Sequence, residues 1–100
     1  MKNVTSLEEL KTILETESKV LVDFWASWCG PCRMLGPIVE KIDNENEDIT
    51  VIKVNADDAP DIAAEYGITS LPTVIVNNGD ESDTYVGLHP QKKYVDFFNV

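Results

Sequence analysis

The stretch that most limits the fold runs from Lys19 to Trp25. Val20-Leu21-Val22 and Phe24-Trp25 are apolar almost without a break, and only Asp23 interrupts them. A strand with one wet face alternates apolar and polar residues, whereas a near-continuous apolar run suits a strand covered on both faces. Covering such a strand takes helices, and helical patterns flank it. Ser6-Leu7-Glu8-Glu9 carries a capping box and opens a helix to about Thr16, with Leu7, Leu10, Ile13 and Leu14 on one face. Met34, Leu35, Ile38, Val39 and Ile42 form a second apolar stripe that ends in the polar run from Asp43 to Asp48. Pro37 lies inside that helix, lacks an N–H, and is expected to kink the helix without breaking it.

Further along, Ile49 to Asn55 is a strand of β-branched residues with Lys53 as its intruder. Pro60 opens a short helix containing Ile62, Ala63 and Tyr66, and Gly67 suits the left-handed position that closes it. Thr73 to Val76 is a strand, Asn78-Gly79 is a tight hairpin dipeptide, and Ser82 to Val86 returns as a polar edge strand. Tyr94, Phe97 and Phe98 give a last helix an aromatic face before the chain stops at Val100, and Lys2 to Val4 holds a scrap of strand. The expected architecture is one α/β domain over residues 1–100. Its mixed central sheet has four to five strands and helices on both faces, with helix-separated strands parallel and the last pair antiparallel.

Eighteen acidic against eight basic residues give a formal charge of −10, which repels phosphate backbones and anionic lipid. Neither nucleic acid nor a membrane surface is an expected ligand. The acids cluster where turns are expected, as solvated loops. The start, MKNVTSLEELKT, has no apolar segment of signal-peptide type, and no run approaches a membrane span, so the chain is expected to be cytoplasmic.

Both cysteines lie in Trp28-Cys29-Gly30-Pro31-Cys32, where the apolar strand hands over to the long helix. Open α/β sheets place ligand sites at such junctions, and a helix N-terminus offers unpaired N–H groups and partial positive charge, both of which stabilise a thiolate. Cys29 at the cap is therefore the more acidic thiol, with Cys32 one turn inside and facing the same side. Such a pair can reduce another disulfide: Cys29 attacks, a mixed disulfide forms, and Cys32 displaces the product. Pro31 stiffens the small ring and helps set its redox poise. Half of a zinc site is the competing reading, but zinc takes about four ligands and the chain adds only His89, so the site would have to be shared between chains. An inert packed pair is the third. Asp23, within the apolar run, is a buried carboxylate that needs a charge partner or a proton, and Lys53 is the natural partner.

These residues resemble the thioredoxin family over nearly the whole chain. The match rests on Val22-Asp23-Phe24-Trp25-Ala26, Trp28-Cys29-Gly30-Pro31-Cys32, Pro37, Lys53 with Asn55 and Asp57, Tyr66-Gly67-Ile68, Leu71-Pro72-Thr73, Asn78-Gly79 and Val86-Gly87. The resemblance implies the thioredoxin fold and a protein disulfide reductase with Cys29 as nucleophile and Cys32 as resolving thiol. It implies that Asp23, modulated by Lys53, exchanges a proton with Cys32. Pro72 matches the family's cis-proline, and the backbone at Leu71 would pair with an extended substrate segment. Trp28, Gly30, Pro31, Leu71, Pro72 and Gly87 would form the substrate-binding surface. The implied partners are protein disulfides and a reductase, either flavin- and NADPH-dependent or ferredoxin-linked; a monomer with no metal and no bound cofactor is expected. Trp25 is expected in the core and His89 on the surface. A partner-binding module without catalysis is the rival reading, and an oxidant of exported proteins is disfavoured by the Gly-Pro pair and the missing leader.

Overall fold

The apolar run Val20–Trp25 forms strand β2 at the centre of the sheet in the computed structural model, which describes residues 1–99. Around it, in chain order, are β1 (Lys2–Asn3), α1 (Leu7–Thr16), α2 (Gly30–Glu45), β3 (Thr50–Asn55), α3 (Pro60–Glu65), β4 (Thr73–Asn77), β5 (Ser82–Val86) and α4 (Gln91–Phe98). The five strands lie in the order β1-β3-β2-β4-β5. β1, β3 and β2 are mutually parallel, with Asp23 opposite Lys53 in the β2–β3 register, while β4 runs antiparallel to β2 and β5 antiparallel to β4. The expected end of the last helix at Val100 lies outside the described residues. None of the described helices is long and apolar enough to cross a membrane.

Strand alternation divides the core in two. Val20, Val22 and Phe24 of β2 and Ile52 and Val54 of β3 face Leu10 of α1 and Ile62 of α3. Leu21, Val51, Val74 and Val76 face the other way, against Leu35, Val39 and Ile42 of α2 and Tyr94 and Phe98 of α4. Every β2 residue from Val20 to Phe24 is at most 1% exposed, as a strand between two helical layers requires. Burying each of its large apolar side chains is worth roughly 1.5–3 kcal/mol, and these layers supply most of the drive to fold.

Local signals behave as their chemistry dictates. Ser6 caps α1 by accepting from the Glu9 N–H at 3.3 Å, while the Glu9 carboxylate pairs with Lys2 at 2.9 Å. Gly67 closes the α3 turn at φ 65°, a conformation that a side chain would strain. α2 continues unbroken through Pro37. Two expectations need correction. β4 is separated from β3 by a helix, yet it does not run parallel to its neighbour β2. α3 spans only about 9 Å, and β4 starts at the end of the sheet where β3 finished and runs back antiparallel to β2. The hairpin holding Asn78-Gly79 is also longer than a two-residue turn. Asn77 pairs with Ser82, and the side chains of Asn77 and Asn78 accept from the N–H groups of Gly79, Asp80 and Glu81.

Candidate active site

β2 ends at Trp25, and the turn that follows is tied at Ser27, whose carbonyl accepts from the Arg33 guanidinium at 2.9 Å. Cys29 is the residue that caps α2, and its Sγ accepts from the backbone N–H of Cys32 at 3.2 Å. Gly30 and Pro31 fill the exposed first positions of the helix, where a missing N–H leaves no bond unmade. Cys29 and Cys32 are joined by a disulfide with Cα atoms 5.3 Å apart. Both are nearly buried and pack with Ala26, Trp25 and Leu71. The two sulfurs therefore differ less in exposure than in position: Cys29 sits at the positive end of the helix and already accepts a backbone hydrogen bond.

Alternation places Asp23, Trp25 and Lys53 on the α2 side of the sheet, with Leu21 and Val51. Asp23 is 1% exposed, and neither carboxylate oxygen bonds another described residue. Burial pushes its pKa up from 3.8 to about 6, and the positive charge of Lys53 opposes that rise. Lys53 is Asp23's neighbour across the sheet without forming a contact ion pair; its Nζ lies 5.1 Å from the centre of the Trp25 ring. A lysine held over an aromatic face acts on the carboxylate through its field and leaves the oxygens free to take a proton. A cleft of about 290 Å³ between Trp25, Cys32, Arg33 and Lys53 opens this region to solvent.

On the outer side, Trp28 is 67% exposed, and its indole N–H donates to Asp57 at 2.9 Å. A groove of about 240 Å³ runs between Trp28, Asp57, Ile68, Ser70 and Leu71. The Leu71–Pro72 peptide bond is cis. The loop holding it is fixed at two points: Thr73 Oγ1 donates to the Ser70 carbonyl at 2.6 Å, and the Gly87 N–H donates to the Pro72 carbonyl at 2.8 Å.

A family model described as "Thioredoxin" matches residues 2–99. A thioredoxin of Rickettsia typhi is 43% identical, with 99% of this chain and 96% of the relative aligned, and one of Mycoplasma genitalium is 46% identical, with 96% and 95% aligned. The chain belongs to the thioredoxin family. Solved thioredoxin structures share the architecture: that of Plasmodium falciparum has a TM-score of 0.87 at 32% identity, covering 99% of this chain and 97% of its own. The oxidised mitochondrial thioredoxin 3 of Saccharomyces cerevisiae has a TM-score of 0.90 at 28% identity, covering 100% and 95%. Thioredoxins are disulfide oxidoreductases acting on protein disulfides, and this chain carries their paired cysteines as a closed disulfide.

The thioredoxin fold draws the residues singled out from sequence into one region. Cys29, Cys32 and Leu71 share a cluster, Gly30 and Pro31 adjoin it, and Pro72 and Gly87 are hydrogen-bonded to each other. Trp28 projects beside the groove, and Asp23 and Lys53 lie on the α2 side of the sheet. Trp25, expected in the core, is half-buried beneath Lys53. Sequence reasoning left Asp57 without a role, although it anchors the exposed indole; the residues are 29 positions apart, and no periodicity links them. It also treated His89 as plain surface. His89 is half-buried, its ring against Tyr85 and Tyr94.

Proposed function

We propose that this chain is a single thioredoxin domain that works as a dithiol reductant of protein disulfides. Cys29 is the nucleophile. As thiolate it attacks one sulfur of a substrate disulfide, forming a Cys29–substrate bond and releasing the other substrate sulfur as a thiolate that takes up a proton. Cys32 then gives up its proton and attacks Cys29 Sγ, which releases the second substrate thiol and closes the Cys29–Cys32 disulfide. Two electrons pass to the substrate, and a reductase returns them. Asp23 accepts the Cys32 proton in the second step, and Lys53 adjusts how readily it does so. Trp28, Gly30, Pro31, Leu71, Pro72 and Gly87 form the docking surface, with the Leu71 backbone pairing to an extended substrate segment. The protein acts as a cytoplasmic monomer in electron transport, without metal or bound cofactor. Its reductase is flavin- and NADPH-dependent or ferredoxin-linked.

The observation that carries this reading is the position of the disulfide. Cys29 caps α2 and accepts the Cys32 N–H, and the unbonded Asp23 carboxylate is buried on the same side of the sheet. A sulfur that already accepts a backbone hydrogen bond at a helix N-terminus is a good leaving group on reduction and a stabilised nucleophile afterwards. The test is insulin disulfide reduction with dithiothreitol as donor. The parent is expected to turn over, and Cys32→Ser to stall as a mixed disulfide through Cys29. Inactivity of the parent, with partner binding retained, would transfer the reading to a binding module.

A further inference from the structure

The loop from Gly87 to Pro90 joins β5 to α4 with no side-chain cap at the helix start, and hydrogen bonds to near neighbours in the chain help to hold it. His89 supplies two of them. Its ring Nε2 lies 2.9 Å from the Val86 carbonyl, and because a carbonyl only accepts, that nitrogen carries the hydrogen. This bond folds the loop back on itself around Gly87, which sits at φ 89°, and the Gly87 N–H donates to the Pro72 carbonyl, extending the β4–β5 pairing past Val86 and Thr73. The backbone N–H of His89 donates to the hydroxyl of Tyr94 at 3.2 Å. Tyr94 is fully buried in α4, and burial raises its pKa, so the phenol stays neutral and remains a fixed acceptor. The rings of His89, Tyr85 and Tyr94 meet edge to face with centroids 5.8 to 6.3 Å apart, which fixes the imidazole's plane.

Continuous bonding thus runs from buried Tyr94 through His89 to Val86 and Gly87, and from Gly87 to Pro72, next to Leu71 against the disulfide. Val86 at the end of β5 and Leu88 on the loop leave apolar side chains 57% and 38% exposed beside the clasp. We propose that His89, held by the Tyr94 hydroxyl, is a positioning residue for protein-substrate docking. This rests on the reductant reading above. A protein disulfide arrives on an extended segment that needs the Leu71 backbone and the loop surface in register; a small disulfide needs only the sulfurs.

The test uses the full chain with three substitutions. His89→Phe keeps a ring for the edge contacts but removes the donor, His89→Gln offers an amide donor at similar reach, and Tyr94→Phe removes the hydroxyl. With insulin and dithiothreitol, His89→Phe and Tyr94→Phe are expected to raise KM by about threefold to tenfold, the loss of one hydrogen bond, with kcat nearly unchanged. Their rate with a small aromatic disulfide such as dithiobis-nitrobenzoate should match the parent's, and His89→Gln should recover most of the KM. An unchanged KM, an equal loss on both disulfides, or a His89→Gln variant as impaired as His89→Phe overturns the proposal. If His89→Phe does not fold, Tyr94→Phe carries the same comparison. A parent that fails on insulin sinks the reductant reading and not the clasp. Amide exchange at Gly87 then decides the clasp: about tenfold faster in Tyr94→Phe if it holds, unchanged if it does not.

Discussion

The two faces of the sheet share the same strands but treat a buried polar group in opposite ways. Besides the Tyr94 phenol, whose hydroxyl accepts the His89 N–H, the buried polar side chains among the described residues are Asp23 at 1% and Thr73 at 3% exposure. Thr73, which by alternation faces the α1 and α3 layer with Ile75, is satisfied because its hydroxyl donates to Ser70. Asp23, facing the α2 and α4 layer, bonds nothing among the described residues. The first face is a closed apolar layer, while the second gives up part of its packing to hold a carboxylate below the cysteine-bearing helix. A group left unsatisfied in a core costs stability, and this one lies on the side of the sheet that carries the disulfide-bearing helix.

Changes on the two faces should therefore have opposite signs. Phe24→Ala, on the closed face beside Tyr66, is expected to destabilise by about 3–5 kcal/mol in denaturant titration, with insulin turnover per folded molecule unchanged. Loss of turnover without loss of stability would erase the distinction between the faces.

Asp23→Asn is expected to do the reverse. A carboxylate whose folded pKa is raised from 3.8 to about 6 adds stability fully below pH 3.8 and loses it as pH climbs through 6. The parent's stability should fall by about 3 kcal/mol across that window, corresponding to roughly two pKa units, and the Asn variant should show no such fall. The same variant should slow turnover by about tenfold to a hundredfold, at or below the low end for a positioned base because water can also take the proton. A stabilised variant with full activity would leave Asp23 a structural acid only.

Lys53→Met removes the charge that opposes the rise, so the Asp23 titration should move further upward, read as an alkaline shift in the pH dependence of stability by about one unit. The smallest effect is expected outside the core. Asp57→Asn weakens the acceptor for the Trp28 indole and should raise KM for insulin about twofold, with stability changed by less than about 0.5 kcal/mol.

Much of the fold was legible because its signals are local. The apolar run from Val20 to Trp25, interrupted only by Asp23, announced a central strand, Ser6 with Glu9 announced a helix start, and Gly67 announced a left-handed stop. The cysteine pair before an amphipathic stripe announced a helix-capping thiol. The direction of β4 was not legible, because it depends on which end of the sheet the whole β3–β4 connection returns to. Nor was Lys53's placement over Trp25, since a register pairing of Asp23 with Lys53 also fits a direct ion pair. The His89 contacts join a strand, a loop and a helix, and no spacing along the chain encodes such a meeting.

By itself the sequence determined the covered central strand, the helix boundaries and the thiols at a helix N-terminus, because periodicity, capping and backbone freedom act over a few residues. Tertiary structure decided which face received Asp23, how Trp28 came to rest on Asp57, and how Tyr94 and His89 brace the loop at Gly87. Those outcomes are set by strand register and by side-chain contacts that join different elements, whose energies exist only once the layers have closed on one another.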